Sequence, residues 1–382
     1  MSAPQYFMKG EAVKMEALKK ILIYIEEHAD VRHVENTIVL QKQVNSFLPV
    51  DRICMCVHLP DRTFPPYAME ETHEDMAKMM YNELIACIPR MKLKDDAIPT
   101  IRANYGVGIL ASLFGAKSSI VNGNMPWVTP LSKEEIKRVV DRGVPDLDSG
   151  FGARLVQTYA FYNEVLKDYP ACRKILKLYH PDLQGPFDTA HLIYGSDIYP
   201  DLYDEPELIH ALLSVVTETY IRLFQRIYPY LSNDQEGSCY HWDMLYPGNT
   251  VIRNDSAVNL SCAMYQEFAQ QYDKKIIDAL GGASMHFCGR ADHWIFDMAE
   301  NGNLKGLNFG YMENLIFGQE YLDFLFDKVT AAKLPIVHYI LTRNEFDAMD
   351  FSRYRTGISF CCAAESEEDA KRLLELCKEK IK

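Results

Sequence analysis

The chain lacks any run approaching the roughly 18 consecutive apolar residues that a membrane span requires, and residues 1–11 lack the apolar stretch of an export signal. It also lacks basic excess. A formal net charge of −13 argues against non-specific nucleic-acid binding, which rests on a positive surface. No fixed-period repeat, low-complexity segment or Ser/Gly linker divides it. No Gly-x-Gly-x-x-Gly follows the first expected strand, so a dinucleotide-binding open sheet loses its main signature. These absences point to a cytoplasmic globular chain, a monomer or a homodimer, and say nothing sharper about its substrate. The ten cysteines then read as reduced thiols, with metal or core roles ahead of bridges.

What is present is ordinary in bulk, at 48% apolar and 24% charged over 382 residues. Residues 1–50 read as a helical extension, with Val13, Leu18, Ile21, Leu22 and Ile25 at helix spacing. From residue 51 onward, apolar runs alternate with helical patterns. Strands are expected at 52–60, 99–106, 176–180, 283–288, 305–310, 334–340 and 357–364. The pieces 238–243 and 250–255 together count as one more. A break at 141–149, with Gly143 and Pro145, suggests an insertion around 117–150. Eight strands separated by helices predict parallel pairing and a (β/α)8 TIM barrel over residues 51–382. A doubly wound sheet is the alternative.

In such a barrel the active site lies at the C-terminal strand ends. The segment Met285-His-Phe-Cys-Gly-Arg290 is the most informative there. Alternation puts His286 and Cys288 on one face and Met285 and Phe287 on the other. An imidazole and a thiol side by side are half of a zinc site, although both also read plainly as buried core residues. Cys361 and Cys362 on the last strand are the candidates for a third ligand, and only one of the two can face inward. Asp255 at a strand end reads as a substrate contact or a cap. His293 beside Asp292 opens a helix and reads as a cap or a neighbour of the metal. Arg290, Asn308, His180, Asp243 and His338 complete the polar groups expected to meet substrate. Cys54, Cys56, Cys87, Cys172, Cys239, Cys262 and Cys377 read as structural.

Several of these motifs resemble the uroporphyrinogen decarboxylase superfamily. They are Met285-His-Phe-Cys-Gly-Arg290, Leu307-Asn-Phe-Gly310, Gln184-Gly-Pro-Phe187, Asp204-Glu-Pro-Glu207, Asn254-Asp-Ser256 and Asn259-Leu-Ser261. The resemblance covers roughly residues 100–380 and implies a (β/α)8 barrel. The arginine-rich loop with which true uroporphyrinogen decarboxylases grip a tetrapyrrole is missing, and the first-strand loop reads Leu59-Pro-Asp-Arg-Thr-Phe-Pro-Pro66 instead. The resemblance therefore points to the corrinoid-dependent methyltransferase branch, which binds zinc through His-x-Cys and a distant cysteine. His286 and Cys288 match the first part, and Cys361 is favoured over Cys362 for the second. This implies methyl transfer between a corrinoid on a partner protein and a small nucleophile such as a thiol. The competing expectations are a metal-free decarboxylase of a tetrapyrrole or another polycarboxylate and a non-catalytic barrel that holds a corrinoid or a partner.

Overall fold

The computed structural model describes residues 9–120, 123, 126–234, 236–300, 304–310 and 318–380, so the loop expected at 122–130 lies partly outside them. The protein is a mixed α/β structure built on a six-stranded parallel sheet. Its strands are β1 (Met55–His58), β6 (Thr250–Arg253), β7 (Ala283–Cys288), β8 (Leu304–Gly310), β9 (Ile336–Leu341) and β10 (Ile358–Ala363). They lie in the order β1-β10-β9-β8-β7-β6. Two short strands, β2 (Thr100–Ile101) and β3 (Lys177–Leu178), form a separate parallel pair.

Side chains bridge the intervals where ladder bonds stop. Between β1 and β2, the Asp96 carboxylate accepts the Met55 N–H at 3.0 Å and that of Asp95 accepts the Val57 N–H at 2.7 Å. Between β3 and β6, His180 Nε2 accepts the Val251 N–H at 3.1 Å, and the Gly185 N–H donates to the Arg253 carbonyl at 2.8 Å. A Cβ on Gly185 would sit 2.6 Å from that carbonyl oxygen, so only glycine permits the approach.

One expectation is corrected here. Residues 238–243 and 250–255 do not form one strand position. The first piece belongs to an antiparallel hairpin, β4 (Ser238–His241) with β5 (Met244–Pro247), and β6 alone joins the sheet. The turn at Gly248, with φ +91°, reverses the chain between the two, and its α-carbon lies so close to Ala283 that a Cβ would meet it at 2.7 Å. Strand β5 packs against β7, β8 and β9, and β4 against β6. The hairpin thus lies over the inner face of the parallel strands.

Alternation along the strands sorts the core into two. Met285, Phe287, Ile358, Phe360 and Cys362 face the surrounding helices in the larger cluster. The helices meet it with regular stripes. The long helix Pro206–Ile227 starts with proline at its first turn and buries Ile209, Leu212, Leu213, Val216, Tyr220 and Leu223 along one face. A smaller inner cluster joins Cys54, Cys56, Val251, Val337 and Cys361 to Cys239, Met244 and Tyr246 of the hairpin. Leu40 and Val44 of α2 (Val31–Asn45) close it from below. Helices α1 (Lys9–His28) and α2 precede the first strand, within the stretch expected to be helical. Gln41 of α2 donates to the Asp96 carbonyl and accepts the Leu245 N–H, each at 2.6 Å, tying the extension to the hairpin. Within 117–150, an antiparallel pair at 117–119 and 127–129 precedes a helix capped by Ser132 and Glu135. No helix among the described residues is long and apolar enough to cross a membrane.

Candidate metal centre and its cavity

His286 and Cys288 stand on the inner face at the C-terminal end of β7, and Asp255 follows β6 on the neighbouring strand. One nitrogen, one sulfur and one carboxylate oxygen from these residues lie within 4.8 Å of one another. His286 Nε2 is 3.5 Å from Cys288 Sγ and 3.5 Å from Asp255 Oδ1. Among the described residues this is the only group of three or more such donors close enough to hold a metal ion.

The surroundings fix which atom of each residue faces that point. The Asn308 amide nitrogen donates to the carbonyls of Val337 at 2.7 Å and His338 at 3.2 Å. Its oxygen must therefore receive His286 Nδ1–H, with which it is hydrogen-bonded. That leaves the Nε2 lone pair directed at Asp255 and Cys288, the arrangement a metal-binding histidine needs. Burial lowers the His286 pKa and favours the neutral ring, although Asp255 partly opposes this. Burial and then the Asp255 carboxylate push the Cys288 thiol up to about 12, so without a cation it keeps its proton. Asp188 accepts the main-chain N–H groups of Asp255 at 2.6 Å and Ser256 at 2.8 Å, holding the Asp255 turn in place.

Two further observations fit a cation. Asp255 Oδ1 is buried with no hydrogen-bond partner. Gly310, the register partner of Cys288, leaves open the space in front of the donors, where a Cβ would sit 2.6 Å from Cys288 Sγ and 3.3 Å from His286 Cε1. An N/S/O set of this kind suits zinc, with a fourth position free for substrate.

His286 and Asn308 also line a cavity of about 440 Å³ with His58, Glu83, Arg90, Thr100, Arg102, Tyr179, Trp242, Asp243, His338 and Cys361. Its charges are mostly engaged. Arg90 pairs with Asp95 at 2.9 Å and Asp243 at 3.0 Å, and these carboxylates outweigh burial and keep it protonated. Arg253, just outside the lining, is ion-paired with Asp182 and donates to His241 Nε2 at 2.9 Å. Burial, with Arg102 nearby, still pulls its pKa down to about 9. Arg102 reaches Asp182 at 3.4 Å. Burial holds His338 at about 4, a neutral imidazole in the cavity wall. Its φ of +61° sits at a bulge between Ile336 and Tyr339, which turns the ring.

The remaining expected residues fall into place by contact. Cys361 faces the cavity but lies outside the three-residue cluster, and Cys362 packs in the outer core. Asp243 reaches the cavity from the hairpin tip rather than from a parallel strand end. His180, held at about 3 by burial, bridges the Pro181 carbonyl and the Val251 N–H away from the cavity. Arg290 pairs with Asp292 and stacks over Tyr321, with its guanidinium 4.0 Å from the ring centroid. His293 bonds the Leu260 carbonyl at 2.7 Å. Sequence reading passed over Arg90, Arg102, Trp242, Glu83 and Gly310, because each gains its meaning from a neighbour distant along the chain. No family model matches the chain, and no curated protein sequence matches it.

Proposed function

We propose that the chain is a (β/α)8 enzyme of the uroporphyrinogen decarboxylase superfamily, in its zinc-dependent methyltransferase branch. It would move a methyl group between a corrinoid on a partner protein and a small nucleophile such as a thiol. The parallel strands β1, β2, β3 and β6 to β10 supply eight positions, and the side-chain bridges at the two intervals support closure into a barrel. The observation that carries the reading is the cluster of Asp255, His286 and Cys288 beside the cavity.

Asp255, His286 and Cys288 would hold the metal. Bound zinc would lower the pKa of a coordinated thiol and present its sulfur as a nucleophile. The rest is work for the chain's own groups. Asn308 fixes the His286 tautomer, and Asp188 fixes the main chain that carries Asp255. The cavity beside His286 takes the acceptor, where orientation and exclusion of water contribute to the rate. A decarboxylase of a tetrapyrrole fits less well. A polycarboxylate needs several free cations to hold it. Arg90 and Arg253 are already paired with aspartates, so few cations are free to grip carboxylates.

Elemental analysis of protein purified without added metal tests the reading. We expect close to one zinc per chain, lost in Cys288→Ser, weakened in Asp255→Asn and retained in Cys361→Ser. Zinc lost in Cys361→Ser but kept in Asp255→Asn would replace the carboxylate with the distant cysteine. Well-folded protein without zinc would overturn the metal reading.

A further inference from the structure

The hairpin β4–β5 turns over two residues, Trp242 and Asp243, with His241 opposite Met244. Both turn residues have positive φ, +43° and +60°. Such turns favour Asn-Gly or Gly-Gly, because a side chain in this region is strained. Non-glycine residues there are strained and persist only where the surroundings over-determine them. Here the surroundings do so. The Asp243 carbonyl accepts the Ile98 N–H at 2.7 Å, and its N–H donates to Thr100 Oγ1 at 2.9 Å. Its carboxylate meets Arg90 at 3.0 Å. The Trp242 indole is fixed from two sides. The Arg253 guanidinium lies 4.4 Å over its ring, and the His286 imidazole meets it edge to face at 4.8 Å.

The bulkiest side chain therefore stands at a position whose backbone favours the smallest. It forms the cavity wall against the one residue shared by cavity and metal cluster. We infer that Trp242 is the specificity-determining residue of the site: its indole closes the space beside His286 and restricts the acceptor to short, compact molecules. The inference rests on the methyltransferase reading for the identity of the acceptor, but its steric part does not require the metal.

The test uses the full chain, with Trp242→Gly as the truncation because glycine accepts the turn's positive φ, and Trp242→Phe as the conservative change. In cobalt(II)-loaded protein, thiolate-to-metal charge-transfer absorbance reports direct coordination of ethanethiol, butanethiol or hexanethiol. We expect the wild type to prefer ethanethiol over hexanethiol by on the order of tenfold or more. The preference should fall close to one in Trp242→Gly and lie between in Trp242→Phe, with cobalt content unchanged. In metal-free protein, calorimetry should detect indole binding to Trp242→Gly and none to the wild type, since an opened apolar space takes up such a molecule. An unchanged chain-length preference, or a folded Trp242→Gly that binds no indole, overturns the inference. Failure to take up cobalt while Trp242→Gly still binds indole overturns the metal reading and leaves the steric role of Trp242 standing.

Discussion

At the scale of single residues, the centre depends on two neighbours that donate nothing to a metal. Gly310 stands opposite Cys288 and Asn308 opposite His286 in the β7–β8 register. A methyl group at 310 would press on Cys288 Sγ from 2.6 Å and on His286 Cε1 from 3.3 Å. Gly310→Ala should therefore lower metal content to a small fraction of the wild-type value at a stability cost of about 1–3 kcal/mol. Parallel metal analysis and urea denaturation would separate the two effects, and full zinc occupancy in the variant would contradict the packing argument. Asn308→Ala removes the acceptor that orients His286, so metal affinity should fall by about 10–100-fold. Competition with a chelator measures this directly. His286 and Cys288 were legible in the sequence because strand alternation alone puts them on one face. Asp255 was legible only as an acid at a strand end, since nothing in the spacing says which strands are neighbours. The roles of Gly310 and Asn308 needed the register itself.

At the scale of elements, the hairpin and the helix after β6 show how support reaches the site. The sequence marks the hairpin as extended structure, but periodicity in its short pieces does not distinguish a strand in the sheet from one packed over it. Its seat is testable through Gln41. Replacing Gln41 with Leu leaves the buried Leu245 N–H and Asp96 carbonyl without their partner, and each loss costs roughly 1–3 kcal/mol. Chemical denaturation should show that loss, whereas a change within error would mean the extension does not hold the hairpin. On the other side, the helix capped by Ser261 widens into a π-helical turn at Gln266–Gln270 before it continues as Gln271–Leu280. Across that turn Tyr265 and Asp273 meet at 3.2 Å, and Asn254 donates to the same Asp273 oxygen at 2.6 Å. Burial pushes Asp273 up to about 7. The folded chain therefore keeps a proton that the unfolded chain releases near pH 4, and stability should fall as pH rises from about 4 to about 7 and level off above. Asp273→Asn keeps an acceptor and cannot ionise. Its melting temperature relative to wild type should climb across that window, and a flat or falling difference would show that the ionised carboxylate is not penalised.

At the scale of the whole molecule, the alternation of strand and helix was readable because each strand of the large sheet is a compact apolar run between helical stripes. The positions of β2 and β3 were also readable, although only two residues of each pair as strand. The intervals beside them were not, because carboxylates and an imidazole take the place of ladder bonds there, and an Asp in sequence reads as a turn or a cap. Asp95 shows what such a bridge contributes. It accepts the Val57 N–H at 2.7 Å and pairs with Arg90 at 2.9 Å, and both charged side chains are buried. Arg90 in turn holds Asp243 at the hairpin tip, so one carboxylate ties β1 to the cavity wall. Removing Asp95 leaves the buried Arg90 with Asp243 alone and the Val57 N–H without its acceptor, and a buried group left short of a partner costs roughly 1–3 kcal/mol, more where it is charged. The exposed pair of Lys371 and Glu367, at 2.7 Å on the last helix (Glu367–Glu379), offers a control, since water screens such a pair and it adds little to stability. Urea denaturation of Asp95→Ala and Lys371→Ala should therefore differ by several-fold in lost stability. Equal losses would mean that the interval between β1 and β2 is held by packing alone, and the support that this bridge lends to a closed barrel would fall with it.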